Sequence, residues 1–152
     1  MVRGMEATLD TTEQLGINSV NQVEDPIPYL PWLQQKLITH REMLAPFYNV
    51  QDIIDWTREG AFHLWVGKDA DDNLEMMALT EVLTSKRAKA VSVVLCVGSN
   101  VEAYFPKFFH GLELYAKLLE ADVITIEGRE AWKKLLKPLD FHLYKVCLMR
   151  KL

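Results

Sequence analysis

Ala90-Val-Ser-Val-Val-Leu-Cys-Val97, then Gly98-Ser-Asn100, then Val101 through Leu119, then Asp122-Val-Ile-Thr-Ile126: the reading of this stretch decides the fold. The first segment is a continuous apolar run, long enough for a strand buried on both faces. Gly98-Ser99-Asn100 breaks it. From there apolar residues fall at 101, 104, 105, 108, 109, 112, 115, 116 and 119, the spacing of one helix face. Asp122–Ile126 is a second short strand, and Gly128 opens a second helix through Trp132, Leu135 and Leu136. A strand, a crossover helix and a strand of this length predict parallel neighbours with a right-handed connection. Pro106 lies beyond the first turn of the helix, so a kink there or a start near it is expected.

Upstream of this unit the pattern changes to hairpins. Phe62-His-Leu-Trp-Val66 reads as a strand, Lys68–Asn73 as a polar turn, and Leu74–Leu83 as the returning strand. Ser85–Lys89 is a second charged turn leading into Ala90, which makes a three-stranded antiparallel meander. The turn at 68–73 is rich in Asp but lacks the mid-loop Gly and distal Glu of a calcium loop. Further back, Pro26, Pro28 and Pro31 enforce an extended lead-in to a helix marked by Leu30, Leu33, Leu37 and Ile38. Asn49 with Asp52 predicts an N-cap with first-turn negative charge, and Gly60 a helix end. Residues 1–25 are polar, with a short strand around Ile17–Val23; an edge strand or a loose N-terminal arm both fit. Downstream, Phe141–Met149 reads as a final strand.

The whole is one α/β domain over residues 1–152: a mixed sheet built from an antiparallel meander, a βαβ unit, an α-helix and a final strand. Of the 152 residues, 49% are apolar and 25% charged, as in an ordinary globular domain. No apolar run approaches the roughly 20 residues of a membrane helix, and Met1-Val-Arg-Gly-Met-Glu6 lacks the apolar core of a secretory signal. Two cysteines, Cys96 and Cys147, read as free thiols in a reducing compartment. Net charge is −4, unevenly spread: residues 1–60 carry −5, residues 61–128 carry −4, and residues 129–152 carry +5. A basic C-terminal face on an acidic body attracts anions or acidic partners, but as a nucleic-acid surface it lacks interleaved aromatics beyond Trp132, Phe141 and Tyr144.

This order of elements resembles the GNAT acyltransferase fold over about residues 15–152. Leu64-Trp65-Val66 after Gly60, Gly128-Arg129-Glu-Ala-Trp132, and Leu135-Leu136-Lys-Pro-Leu-Asp-Phe141 are together similar to small GNAT-like proteins encoded by tailed bacteriophages. The resemblance implies a protein of the infected host's cytoplasm or of the virion, with a virion or host protein as partner. It also implies where acetyl-CoA would bind, at Val97, Gly98, Ser99 and Asn100. GNAT enzymes hold the coenzyme A pyrophosphate on backbone N–H groups in a Gln/Arg-x-x-Gly-x-Gly/Ala loop. Here the loop reads Gly98-Ser99-Asn100-Val101-Glu102-Ala103, with one glycine, no leading basic residue, and Glu102 where phosphate would sit.

Many GNAT enzymes place a tyrosine acid on the fourth helix; the matching position falls near Leu136, which donates no proton. Tyr144 on the following strand is a weak substitute. Glu75 and Glu81 on the meander are candidate bases that read more simply as exposed strand carboxylates. His40, His63, His110 and His142 have no zinc spacing. The expectation is therefore no catalytic residue, no metal and no cofactor: a binding protein of degenerate acyl-CoA site, the alternative being an active acetyl-CoA-dependent N-acetyltransferase with an atypical phosphate loop. Gly128, Arg129 and Trp132 form a corner, either an anion clamp or a structural joint, since an Arg at a helix start opposes the dipole unless it has a partner.

Overall fold

The computed structural model of the chain describes residues 17–44, 48–128, 132–144, 148, 150 and 152. Five strands form one sheet in the order β1 (Ile17–Gln22), β2 (His63–Asp69), β3 (Leu74–Thr84), β4 (Lys89–Gly98), β5 (Val123–Ile126). β1 to β4 pair antiparallel, and β4 and β5 pair parallel, as the crossover predicts. Helices α1 (Leu30–Thr39) and α2 (Val50–Glu59) precede β2. Helix α3 (Val101–Leu118) makes the crossover, and the short α4 (Trp132–Leu136) follows β5.

Local chemistry places most of these boundaries. Asn49 caps α2 by accepting the Asp52 N–H at 2.8 Å, and Gly60 ends it with φ of 87°, a left-handed conformation that glycine adopts without a Cβ penalty. In the β2–β3 turn the Asp69 carboxylate accepts the N–H groups of Asp71 and Asn73 at 2.8 and 2.9 Å and the Asn73 side-chain amide at 3.1 Å. That acid is occupied in closing its own turn. These bonds, the Asn73 backbone foremost, hold its pKa below the ordinary carboxylate value.

The sheet is packed on both sides. On one face α3 lays down Tyr104, Phe105, Phe108, Leu112 and Ala116 over Trp65, Met76, Ala78, Val91 and Val93. On the other, α1 and α2 bring Leu33, Leu37, Ile53 and Ile54 onto Leu64, Val66, Met77, Leu79, Leu95 and Val97. Trp65 meets Phe108 and Tyr115 edge-on, with centroids at 5.4 and 5.7 Å, and its indole N–H donates to the buried Thr80 hydroxyl at 3.0 Å.

Two expectations need correction. Helix α3 starts at Val101 and carries Pro106 inside it rather than starting there; with the turn before it already fixed against the sheet, the helix tolerates one missing donor. The helix marked by Leu30, Leu33, Leu37 and Ile38 is present as α1; the first three form its buried face and Ile38 lies off it. Phe141–Tyr144, expected to open a final strand, belong to no strand, because no described backbone pairs with them and Leu143 and Tyr144 stand 65% and 87% exposed. Residues 145–147 and 149 of that expected strand lie outside the described residues, as do residues 1–16 of the N-terminal arm.

Candidate functional site

The parallel pair β4–β5 opens into a fork. The two strands pair from Ala90/Val123 to Val93/Ile126, and the Glu127 N–H makes a last, long bond to the Val93 carbonyl at 3.5 Å. Just past that point β4 is bulged. On β3, Thr80 faces Val93 and Leu79 faces Leu95, so Val94 is an extra residue. A bulge bends its strand and reverses the sidedness of everything beyond it. Accordingly Val91 and Val93 pack under α3, whereas Leu95 and Val97 pack under α1 and α2. From Val94 to Gly98, β4 has no β5 partner.

At the end of the open arm lies the loop Gly98-Ser99-Asn100. Gly98 is required there by contact with β3: a Cβ on it would run into the Glu75 carbonyl oxygen and lie 2.7 Å from the Met76 Cα. The Ser99 N–H donates to the Glu75 carbonyl at 2.9 Å, and the Ser99 hydroxyl donates to the Glu75 carboxylate at 3.0 Å. Glu75 is itself a bulge residue, since Met76 faces Gly67 and Leu74 faces Lys68. Alternation back from Ser99 turns the backbone groups of Cys96 and Gly98 toward the open side of the fork. Val97, by contrast, is buried as core.

Asn100 stands at the N-cap of α3 without a side-chain bond to the first turn. Ser99 and Glu102 stand at capping-box spacing, but the Ser99 hydroxyl is turned to Glu75 instead. Behind the loop, the buried Tyr104 has its pKa raised by burial first, then by the charges of Glu75 and Asp69. Tyr104 thus feels the charges of Glu75 and Asp69, and Glu102 sits in the first turn of α3. A helix N-terminus favours negative charge, and the first turn of α3 carries Glu102.

At the closed end of the fork, three polar residues cross the sheet in one row: Glu81 faces Ser92 on β4, and Ser92 faces Thr125 on β5. Glu81 is half-buried, and its pKa is raised by burial first and then by the Glu127 carboxylate. Sequence reading treated Glu81 as an exposed strand acid. The signal that could have found this row is the alternation of Glu81, Ser92, Thr125 and Glu127 with apolar neighbours.

Leu136, at the position the resemblance gives to a proton donor, is buried among apolar side chains, and Tyr144 lies in no strand. The Cys96 thiol is pushed up to about 12 by burial, so it carries no thiolate at neutral pH; Cys147 lies outside the described residues. At the second corner, a Cβ on Gly128 would lie 2.6 Å from the Trp132 ring, which in turn meets Phe105 at 5.2 Å. Arg129 lies outside the described residues. Among the described residues no cluster of His, Cys, Asp or Glu has metal-binding geometry, and no helix is long and apolar enough to cross a membrane.

No protein-family profile and no curated protein sequence matches the chain. Solved structures do match in fold. A predicted acetyltransferase from Clostridium acetobutylicum, solved with acetyl-CoA, superposes with a TM-score of 0.65 at 9% identity, over 88% of this chain and 95% of that one. The aminoglycoside 6′-N-acetyltransferase of Acinetobacter baumannii gives 0.61 at 10% identity, over 90% and 98%. A GNAT family acetyltransferase of Staphylococcus aureus gives 0.59 at 10% identity, over 88% and 97%. At these identities the likeness is one of fold: the chain has a GNAT-like architecture.

Proposed function

We propose that this is a GNAT-fold protein whose acyl-CoA site is degenerate and which works as a protein-binding module, with a virion or host component as its partner. One observation carries the reading. The Ser99 N–H, which a pyrophosphate would need, is held by the Glu75 carbonyl, and the Glu75 carboxylate lies on the Ser99 hydroxyl. A diphosphate at this loop would have to break the first bond and face the second charge, with Glu102 beside it. The phage and virion part of the reading rests on the sequence stretches at 64–66, 128–132 and 135–141.

The fork itself supports a second reading, an acetyl-CoA-dependent N-acetyltransferase with an atypical phosphate loop. Its open β4 edge could line an acyl donor, and Glu81, half-buried with a raised pKa, stands where the fork closes. Thermal unfolding with and without acetyl-CoA separates the two. A ligand at a hundred times its Kd stabilises the native state by about 2.7 kcal/mol. Under the degenerate-site reading the melting temperature stays fixed up to millimolar acetyl-CoA. A saturable rise, followed by acetyl transfer to a simple amine that Glu81→Gln abolishes, would establish the enzyme instead.

A further inference from the structure

We infer that the polar row at the closed end of the fork, Glu81, Ser92 and Thr125 with Glu127 beside it, seats an arginine side chain of the partner protein. The inference rests on the protein-binding reading above and names the group that the partner presents. Pairing puts Glu81, Ser92 and Thr125 on one face of the sheet, and alternation along β5 adds Val123 and Glu127 to that face. Farther along the strands α1 and α2 cover the same face, at Leu79 and Leu95. In the next row the other way, Leu83 and Val123 are each about half exposed.

Ser92 is the group that marks a ligand. It is only 5% exposed, yet its hydroxyl bonds to nothing among the described residues. A serine this deep ordinarily has a partner. No fully buried side-chain oxygen among the described residues is left unsatisfied, so the Ser92 hydroxyl is the part of that residue which reaches the open row.

The two carboxylates fix the sign of the ligand. Burial and then the Glu127 charge raise the Glu81 pKa, and no Lys, Arg or His is among the groups acting on it. A cation in the row relieves both effects. Residues 1–128, with ten Lys/Arg against nineteen Asp/Glu, draw a basic partner toward it. Spacing selects the cation. Neighbouring strands stand about 4.8 Å apart, so the acceptors on β3, β4 and β5 form a line. A guanidinium offers five donors in a planar fork that can serve a carboxylate and a neighbouring hydroxyl together, whereas an ammonium is a compact point charge. The arginine stem would lie over Leu83 or Val123. Because a guanidinium keeps its proton at neutral pH, this seat binds a side chain and presents no amine for acyl transfer.

The test is titration of the ¹⁵N-labelled full chain with acetyl-Leu-Arg-Leu-amide, and with the same peptide carrying lysine or citrulline instead of arginine. The arginine peptide should give saturable shifts centred on Glu81, Ser92 and Thr125, with a Kd about tenfold or more below that of the other two. Ser92→Ala and Glu127→Gln, each with unchanged circular dichroism, should raise that Kd severalfold, to about tenfold. No saturable shift, equal affinity for the lysine or citrulline peptide, or wild-type affinity in both variants would each overturn the inference. Acetyl-CoA titrated in parallel reads the other claim: saturable binding at Gly98 and Ser99 would end the degenerate-site reading, whereas the seat stands or falls on the peptides.

Discussion

A methyl group at residue 98 has nowhere to go, since the Glu75 carbonyl and the Met76 Cα already fill the space. Gly98→Ala should therefore lower the stability of the ligand-free protein by about 1–3 kcal/mol, as overpacking does where the neighbour is backbone. Gly60→Ala is the control: open space surrounds it, and only its left-handed φ opposes the change, at about 1 kcal/mol. Were Gly98 present only to admit a phosphate, chemical denaturation would find Gly98→Ala harmless. A second residue-scale outcome follows from Cys96. Its pKa rises on folding from an ordinary 9.0 to about 12, so the protonated thiol's contribution is complete below pH 9 and is lost as pH climbs toward 12. Tyr104, also raised, destabilises in the same direction. The loss specific to Cys96 is the difference between wild type and Cys96→Ala in stability measured from pH 8 to 11; equal slopes would mean the thiol is not held as described.

At the scale of elements, the features legible in the sequence are those whose cause is local. The Asn49 cap, the Gly60 stop and the two charged turns depend on residues a few positions apart, and all are present. Asn49→Ala should lower stability by about 1 kcal/mol, checked by urea unfolding with an unchanged m-value. The α3 face was legible too, because its buried residues repeat with the helical period. What the sequence hid is the bulges. Val93, Val94 and Leu95 are all apolar in a strand buried on both faces, so no alternation is broken at Val94 to mark the extra residue. Ser99 and Glu102 spell a capping box, yet Glu75, twenty-four residues away in the chain, takes the serine hydroxyl. No short-range rule could anticipate that competition.

At the scale of the molecule, the order of strands and the parallel β4–β5 pair follow from the chain's pattern of elements, and the solved acetyltransferases share that architecture. The fork between β4 and β5 leaves β4 unpaired by β5 from Val94 to Gly98, and its loop is closed by the protein's own groups. The candidate site was half legible: the loop's missing glycines and its acid stood in the sequence, whereas its engagement by Glu75 required the fold. Titration of the ¹⁵N-labelled protein with acetyl-CoA, followed at the amides of Cys96, Gly98, Ser99 and Asn100, tests the central claim most directly. These resonances should stay in place, with the Ser99 amide slow to exchange because Glu75 holds it. Saturable shifts centred on Gly98 and Ser99, with loss of that protection, would contradict it.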